Sequence, residues 1–173
     1  MKTILRTLRW LWCLPLTLVG LPLWLHAYLV QIYRPNQALA FVKTAQAAPV
    51  FIAYSPLIHW LLTHHPYGAM DAMAVGCCVL ARDARALHAC MAHELVHVEQ
   101  SLRWGAVFPL AYACASTAAW WRGDCPYRGN RFEREAFSVE AVSSTIRVQS
   151  TQNSCKSTHH NTGNKYFVCA FHF

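Results

Sequence analysis

Charge is scarce in this sequence. Of 173 residues, 8 are acidic and 15 basic, only 13% carry charge, and 55% are hydrophobic. That is rich for a soluble domain and points to contact with a membrane. The net charge of +7 comes from scattered basic residues. No basic cluster and no nucleic-acid module is visible, so no nucleic-acid partner is expected, and the charge suits solubility or attraction to anionic lipid. None of the eight cysteines forms a CxxC pair, which argues against a cysteine zinc ribbon. Their even number establishes no disulfide. From Ser143 onward there is no acidic residue and no clear hydrophobic period, only Ser, Thr and Asn in quantity. Residues 143–173 therefore read as a tail without regular structure.

What is present centres on Ala92-His93-Glu94-Leu95-Val96-His97-Val98-Glu99-Gln100. Two histidines four apart on a helix stand about 40° apart around the axis and one turn, ~5–6 Å, along it. Their imidazoles can converge on one ion, and Glu94 between them can take a proton from a water that the ion activates. On a helical wheel Ala86, Cys90, His97, Gln100, Ser101 and Trp104 share the His93 face. Leu87, Met91, Leu95, Val98 and Leu102 form an apolar stripe opposite, and Arg85, His88, Glu99 and Arg103 a polar side. Such a helix packs through one stripe and presents His93, Glu94 and His97 on another. Asp83 is its expected N-cap and Gly105 its stop. Cys90 lies ~10 Å from His97 along the helix, too far to share its ion. A plain pair of core histidines is the competing reading.

The rest of the chain supplies the setting. Lys2, Arg6 and Arg9 precede an apolar run from Trp10 to Val30, the pattern of a signal peptide or signal anchor. Leu25-His26-Ala27 is a poor cleavage site, which favours an uncleaved membrane anchor over residues 1–33. Its basic end would stay cytoplasmic and place the remainder on the non-cytoplasmic side. A helix lying in the interface, or packed in a core, is the alternative. Arg34–Pro49 reads as a connector with a short helix over Gln37–Ala47. Val50–Leu62 reads as a core helix or an interfacial segment. His64 and His65 sit in a turn marked by Pro66 and Gly68, where histidines are simply exposed more often than ligating. Ala74–Ala81 alternates as one short strand, which as a sheet edge could hold an extended peptide beside the site. Ala106–Trp121 reads as an Ala-rich packed helix or a hairpin partner in the membrane.

A further helix opens at Asn130. Asn130 with Glu133 makes a capping-box pattern, which is a purely structural role for Glu133. Alternatively Glu133 is the third ligand of the ion. Glu135 lies about 160° further round and cannot face the same ion, and of the two Glu133 is preferred. Tyr127 and Arg131 just upstream are candidate donors to an oxyanion. Gln100, one turn past His97, is a candidate for orienting a ligand.

The residues AHELVHVEQ, then RWG and YRGNRFEREAF, resemble small bacterial HExxH proteins classed as zinc metallopeptidases of gluzincin type. Phe132-Glu133-Arg134-Glu135-Ala136 is similar to the third-ligand helix of the membrane-associated CAAX-prenyl and HtpX-like peptidases. The resemblance covers roughly Gly68 to Ala141. It implies His93, His97 and Glu133 as zinc ligands and Glu94 as the catalytic base. Those peptidases usually carry Asp directly after that Ala. Phe137 stands there in this chain, so a carboxylate that orients a ligand is missing or comes from elsewhere.

Together these readings predict an α+β protein. A mainly helical, zincin-like domain over 34–142 would hold a short strand or small sheet beside the HExxH helix, behind an N-terminal membrane helix. The expected activity is hydrolysis of peptide bonds in a peptide or protein substrate, with Zn²⁺ as cofactor and lipid contact through the N-terminal segment. A non-catalytic metal-binding or membrane-assembly protein, and a helical membrane protein with a coincidental motif, are the other classes.

Overall fold

The computed structural model describes residues 2–154 except 46–47 and 66–67, with side chains described from residue 6 to residue 142. The elements run α1 (Lys2–Tyr33), β1 (Leu39–Ala45), β2 (Ala48–Tyr54), α2 (Pro56–Thr63), β3 (Ala72–Val75), β4 (Cys78–Ala81), α3 (Ala84–Trp104), a 3-10 turn (Gly105–Val107), α4 (Phe108–Trp121) and α5 (Arg131–Ser154). The four strands form one mixed sheet in the order β1-β2-β4-β3. β1 and β3 pair antiparallel to their neighbours, and β2 and β4 run parallel. The class is therefore α+β, with a small sheet, as the sequence suggested.

Alternation along the two central strands decides the layers. Val50, Ile52, Val79 and Ala81 pack with Leu87, Val98 and Leu102 of α3. Ala53 and Leu80 point to the other side and pack with Ala27 of α1 and with Ile58 and Leu62 of α2. Both faces of the sheet are thus covered.

Three expectations change. The segment expected to hold a helix over Gln37–Ala47 forms β1 instead, and every described β1 residue pairs with β2. Val50–Leu62 is a strand followed by a helix, broken where Ser55 caps α2: its Oγ accepts Ile58 N–H at 3.3 Å, and Pro56 opens the first turn. Ala74–Ala81 is no single strand. Gly76, at φ 61°, and Cys77 turn the chain back, so Val75 pairs with Cys78. A Cβ at Gly76 would lie 2.4 Å from Thr17 N, so α1 presses on the turn that makes the hairpin. The edge strand is consequently β3, while β4 is central.

The apolar N-terminal helix packs on the same body as the rest. Cys13, Thr17 and Ala27 are buried. A Cβ at Gly20 would meet Cys78 Cβ at 2.6 Å, so only a residue without a side chain permits this approach. At the other end of the chain the backbone of residues 143–154 continues α5, where composition suggested an unstructured tail. The rest of that tail, 155–173, with His159 and His160 within it, lies outside the described residues.

Candidate metal centre

α3 carries the centre of the site. Asp83 caps it, with Oδ1 accepting Ala86 N–H at 2.8 Å, and Gly105 stops it at φ 57°. Leu87, Val98 and Leu102 of the expected stripe are buried in the core, with Met91 and Leu95 packed against them. That orientation turns His93, Glu94 and His97 toward α5, where they are 4%, 6% and 8% exposed, and Glu133 meets them at 2%.

Three ligand side chains converge. His93 Nε2 and His97 Nε2 are 3.1 Å apart. Glu133 Oε2 lies 3.2 Å from the first and its Oε1 3.2 Å from the second. Ligand atoms held ~2.0–2.1 Å from one first-row ion stand about 3.3 Å apart in a tetrahedron and about 3.0 Å apart in an octahedron. The imidazole–imidazole separation and the contact of each imidazole with one carboxylate oxygen fall in this range, and one ligand atom from each residue lies within 4.8 Å of the others. Glu133 Oε2 is moreover buried without an aligned hydrogen-bond donor. Buried acceptors brought together in this way need a cation or a shared proton between them. The donor set fits a divalent metal, and this group of His93, His97 and Glu133 defines a candidate metal centre.

The supporting residues sort clearly. Gln100 Nε2 donates to Phe132 O at 3.0 Å and to Glu135 Oε2 at 2.9 Å. Its amide is thereby oriented with Oε1 toward His97 Nδ1, at 2.9 Å. His97 then carries its proton on Nδ1 and leaves Nε2 free for the ion. Glu135 stands outside the group, 2.6 Å from Arg103. Glu133 fills the third position and Glu135 does not.

Tyr127 reaches the site: it shares a hydrogen bond with Glu133 and packs edge-on against Phe137. Arg131 does not. Its guanidinium lies 5.2 Å from the Trp104 ring centre and 4.6 Å from that of Phe132, at the exposed end of α5. The π-faces hold it where an oxyanion donor has no use. His64 is also elsewhere, stacked on Trp60 with Nδ1 against Trp60 O.

Two residues escaped the sequence reading. Tyr112 of α4 donates to Glu133 Oε1 at 2.7 Å. Nothing near Tyr112 in sequence marks it, because only the return of α4 over α5 brings it there. Glu140 Oε2 stands 3.3 Å from His93 Nδ1, although not in line for a hydrogen bond. The carboxylate absent at Phe137 thus has a counterpart one turn further on. Its spacing of seven from Glu133 puts both on one face of α5 and was the available signal. Phe137 itself packs its ring 4.9 Å from that of His93.

Electrostatics follows the geometry. Burial pushes Glu133 toward its neutral form, but the facing imidazoles and the Tyr112 hydroxyl outweigh it and leave its pKa lowered. Burial acts against a charged His97, yet Glu133, Glu94 and Gln100 overcome it and raise its pKa to about 9 in the metal-free protein. Glu94 is raised, chiefly by burial, against the opposing pull of His97 and His93. It accepts the backbone N–H of Ala74, which fastens it to the edge strand β3. Burial first, and then the charge of Glu133, raise both Tyr112 and Tyr127.

Comparison with protein-family models, with curated proteins and with solved structures finds no match. The class that fold and site define is an α+β protein with a buried two-histidine, one-carboxylate group able to hold a metal ion.

Proposed function

We propose that the chain is a zinc-dependent peptidase of zincin type, in contact with a membrane through its apolar N-terminal helix. The observation that carries this reading is the joint placement of two things. His93, His97 and Glu133 converge on one point, and Glu94, from the same helix as the histidines, is held against the edge strand β3. A structural or redox metal site has no use for a carboxylic acid between its two histidines, whereas hydrolysis is accelerated by a base placed there.

A zinc ion in this group would bring a water to near-neutral pKa and polarise the carbonyl of a scissile amide. Glu94 takes the proton of the attacking water and returns it to the leaving amine. Its raised pKa suits a group that must both accept and donate near neutrality. Gln100 keeps His97 in the tautomer that ligates. Tyr112 and Tyr127 remain protonated at neutral pH and offer hydroxyl groups where an oxyanion would form. β3 is half-buried and pairs on one side only, with β4. An extended peptide can add to such an edge by backbone hydrogen bonds, with Ala74 marking the position nearest Glu94.

The test is hydrolysis of a peptide library by the zinc-loaded protein and by Glu94→Gln. Loss of cleavage by ~10²-fold or more in the variant, at unchanged zinc content, supports the base role. Equal activity in both, or none in either, leaves a metal-binding protein without this chemistry. One observation favours that second reading: Glu94 is 6% exposed and already engaged by Ala74.

A further inference from the structure

α1 has two apolar faces of different kinds. The face toward the sheet is built from small or polar residues: Cys13, Thr17, Gly20 and Ala27 are buried. The opposite face carries Leu8, Leu11, Leu18, Leu25, Leu29 and Ile32, each between 49% and 58% exposed. Their spacing, completed by Pro15 and Pro22, alternates three and four residues, so they form one straight stripe along the helix. Both prolines are exposed on that stripe.

The stripe needs an occupant, and lipid fits it better than a second copy of this chain. Pro15 and Pro22 interrupt the row where a pairing helix would need close-fitting side chains. Arg6, Arg9 and Arg34 are exposed at the two ends of the helix, and no acidic residue precedes Asp71 in the chain. Two such helices would bring like charges together, whereas an anionic bilayer would neutralise them. An apolar groove of about 380 Å³ extends the stripe at its C-terminal end, between Leu29, Val30, Tyr33 and Leu57, with Arg34 at its wall.

The helix cannot cross the bilayer while it keeps its packing. Four hydrogen bonds fasten it to the body along its length. Trp12 Nε1 donates to Trp104 O at 3.0 Å, Thr17 Oγ1 accepts Cys77 N–H at 3.0 Å, Trp24 Nε1 donates to Phe41 O at 3.3 Å, and Gln31 Oε1 accepts Ala40 N–H at 2.7 Å. From Trp12 to Gln31 is ~29 Å of helix, the thickness of the hydrocarbon layer. A spanning α1 would carry the sheet in with it, including the unpaired edge of β1 and the exposed Lys43. Open sheet edges are not tolerated in lipid.

We infer that α1 lies flat in the interface of an anionic phospholipid bilayer, leucine face down, and holds the whole body on one side of it. The membrane is then a floor for the domain, and α1 is both its anchor and part of its core. This deepens the membrane contact proposed above and is independent of hydrolysis.

The experiment uses the full chain with a protease-cleavable tag at each end, mixed with sealed phosphatidylcholine vesicles with or without phosphatidylserine. The variant is Leu18→Glu with Leu25→Glu, at exposed positions that leave the sheet contacts intact; circular dichroism and zinc content monitor its fold. The wild type is expected to float with the phosphatidylserine vesicles, with both tags cleaved from outside. The double variant is expected to stay folded and to bind roughly tenfold more weakly or worse. One tag protected inside the vesicle would establish a span and overturn the inference. So would a wild type that ignores vesicles, or one that forms a dimer dissolved by the two Glu substitutions. Zinc lost while flotation persists would count against the peptidase reading alone.

Discussion

Gln100 Oε1 accepts a hydrogen bond from His97 Nδ1 at 2.9 Å, and the two groups that fix the Gln100 amide both come from α5. One side chain on α3 therefore senses whether α5 is in place and sets the tautomer of a candidate ligand. Gln100→Leu should retain the fold and lower metal affinity by about 10–100-fold. Competition with a chelating dye measures it. Gln100→Leu binding with wild-type affinity would remove this role.

The metal-free site should show its own pH dependence. His97, raised from 6.5 to about 9 beside Glu133, contributes stability that is fully present below pH 6.5 and lost as pH rises through about 9. Glu133, lowered from 4.5, contributes above that value and loses its share as pH falls. Metal binding runs the other way on the alkaline side, because ligands must shed protons. Thermal melts from pH 6 to 9 should thus fall with chelator, and the stabilisation on adding zinc should grow with pH. Parallel curves with and without zinc would contradict the shared use of these groups.

Asp83 caps α3, and its pKa is lowered chiefly by the Ala86 N–H. Asp83→Ala should cost about 1 kcal/mol in urea unfolding. The wild-type advantage is present above about pH 4 and disappears as the carboxyl protonates, so the two melts should approach each other in acid.

The β3–β4 turn and the approach of α1 share Gly76. Gly76→Ala should destabilise by more than Gly123→Ala. Both sit at positive φ, 61° and 80°, but only Gly76 has α1 backbone within 2.4 Å of the added Cβ, while Gly123 has nothing within 4 Å. Backbone strain alone is worth about 1 kcal/mol, and equal losses would mean that α1 does not press on the turn.

Much of the site was legible because α3 obeys local rules. Its cap, its stop, its core stripe and its His-Glu-x-x-His spacing all follow from the 3.6-residue period. The same period shows that Glu133 and Glu135 cannot share one ion, and the distances to His93 and His97 decide for Glu133. Four things were not legible. The strand β1 carries Lys43, Thr44 and several small residues, so its identity comes from pairing with β2. The hairpin at Gly76-Cys77 looks like a continuous apolar strand because all of β4 is buried and shows no alternation in exposure. Arg6–Tyr33 is long and apolar enough to cross a membrane by length and composition, yet those criteria are blind to the small-residue face that α1 gives to the sheet. Tyr112 depends on how α4 returns over α5, which no local pattern encodes, whereas the spacing of Glu140 from Glu133 was a local signal left unread.

The central claim is that His93, His97 and Glu133 hold one metal ion. Metal content per chain, by elemental analysis of purified wild type, His97→Ala, Glu133→Ala and Glu135→Ala, tests it most directly and identifies the metal. About one zinc is expected in wild type, little in His97→Ala and Glu133→Ala, and near-wild-type content in Glu135→Ala. Wild-type protein that takes up no metal after reconstitution, or a Glu133→Ala variant that keeps it, would contradict the account.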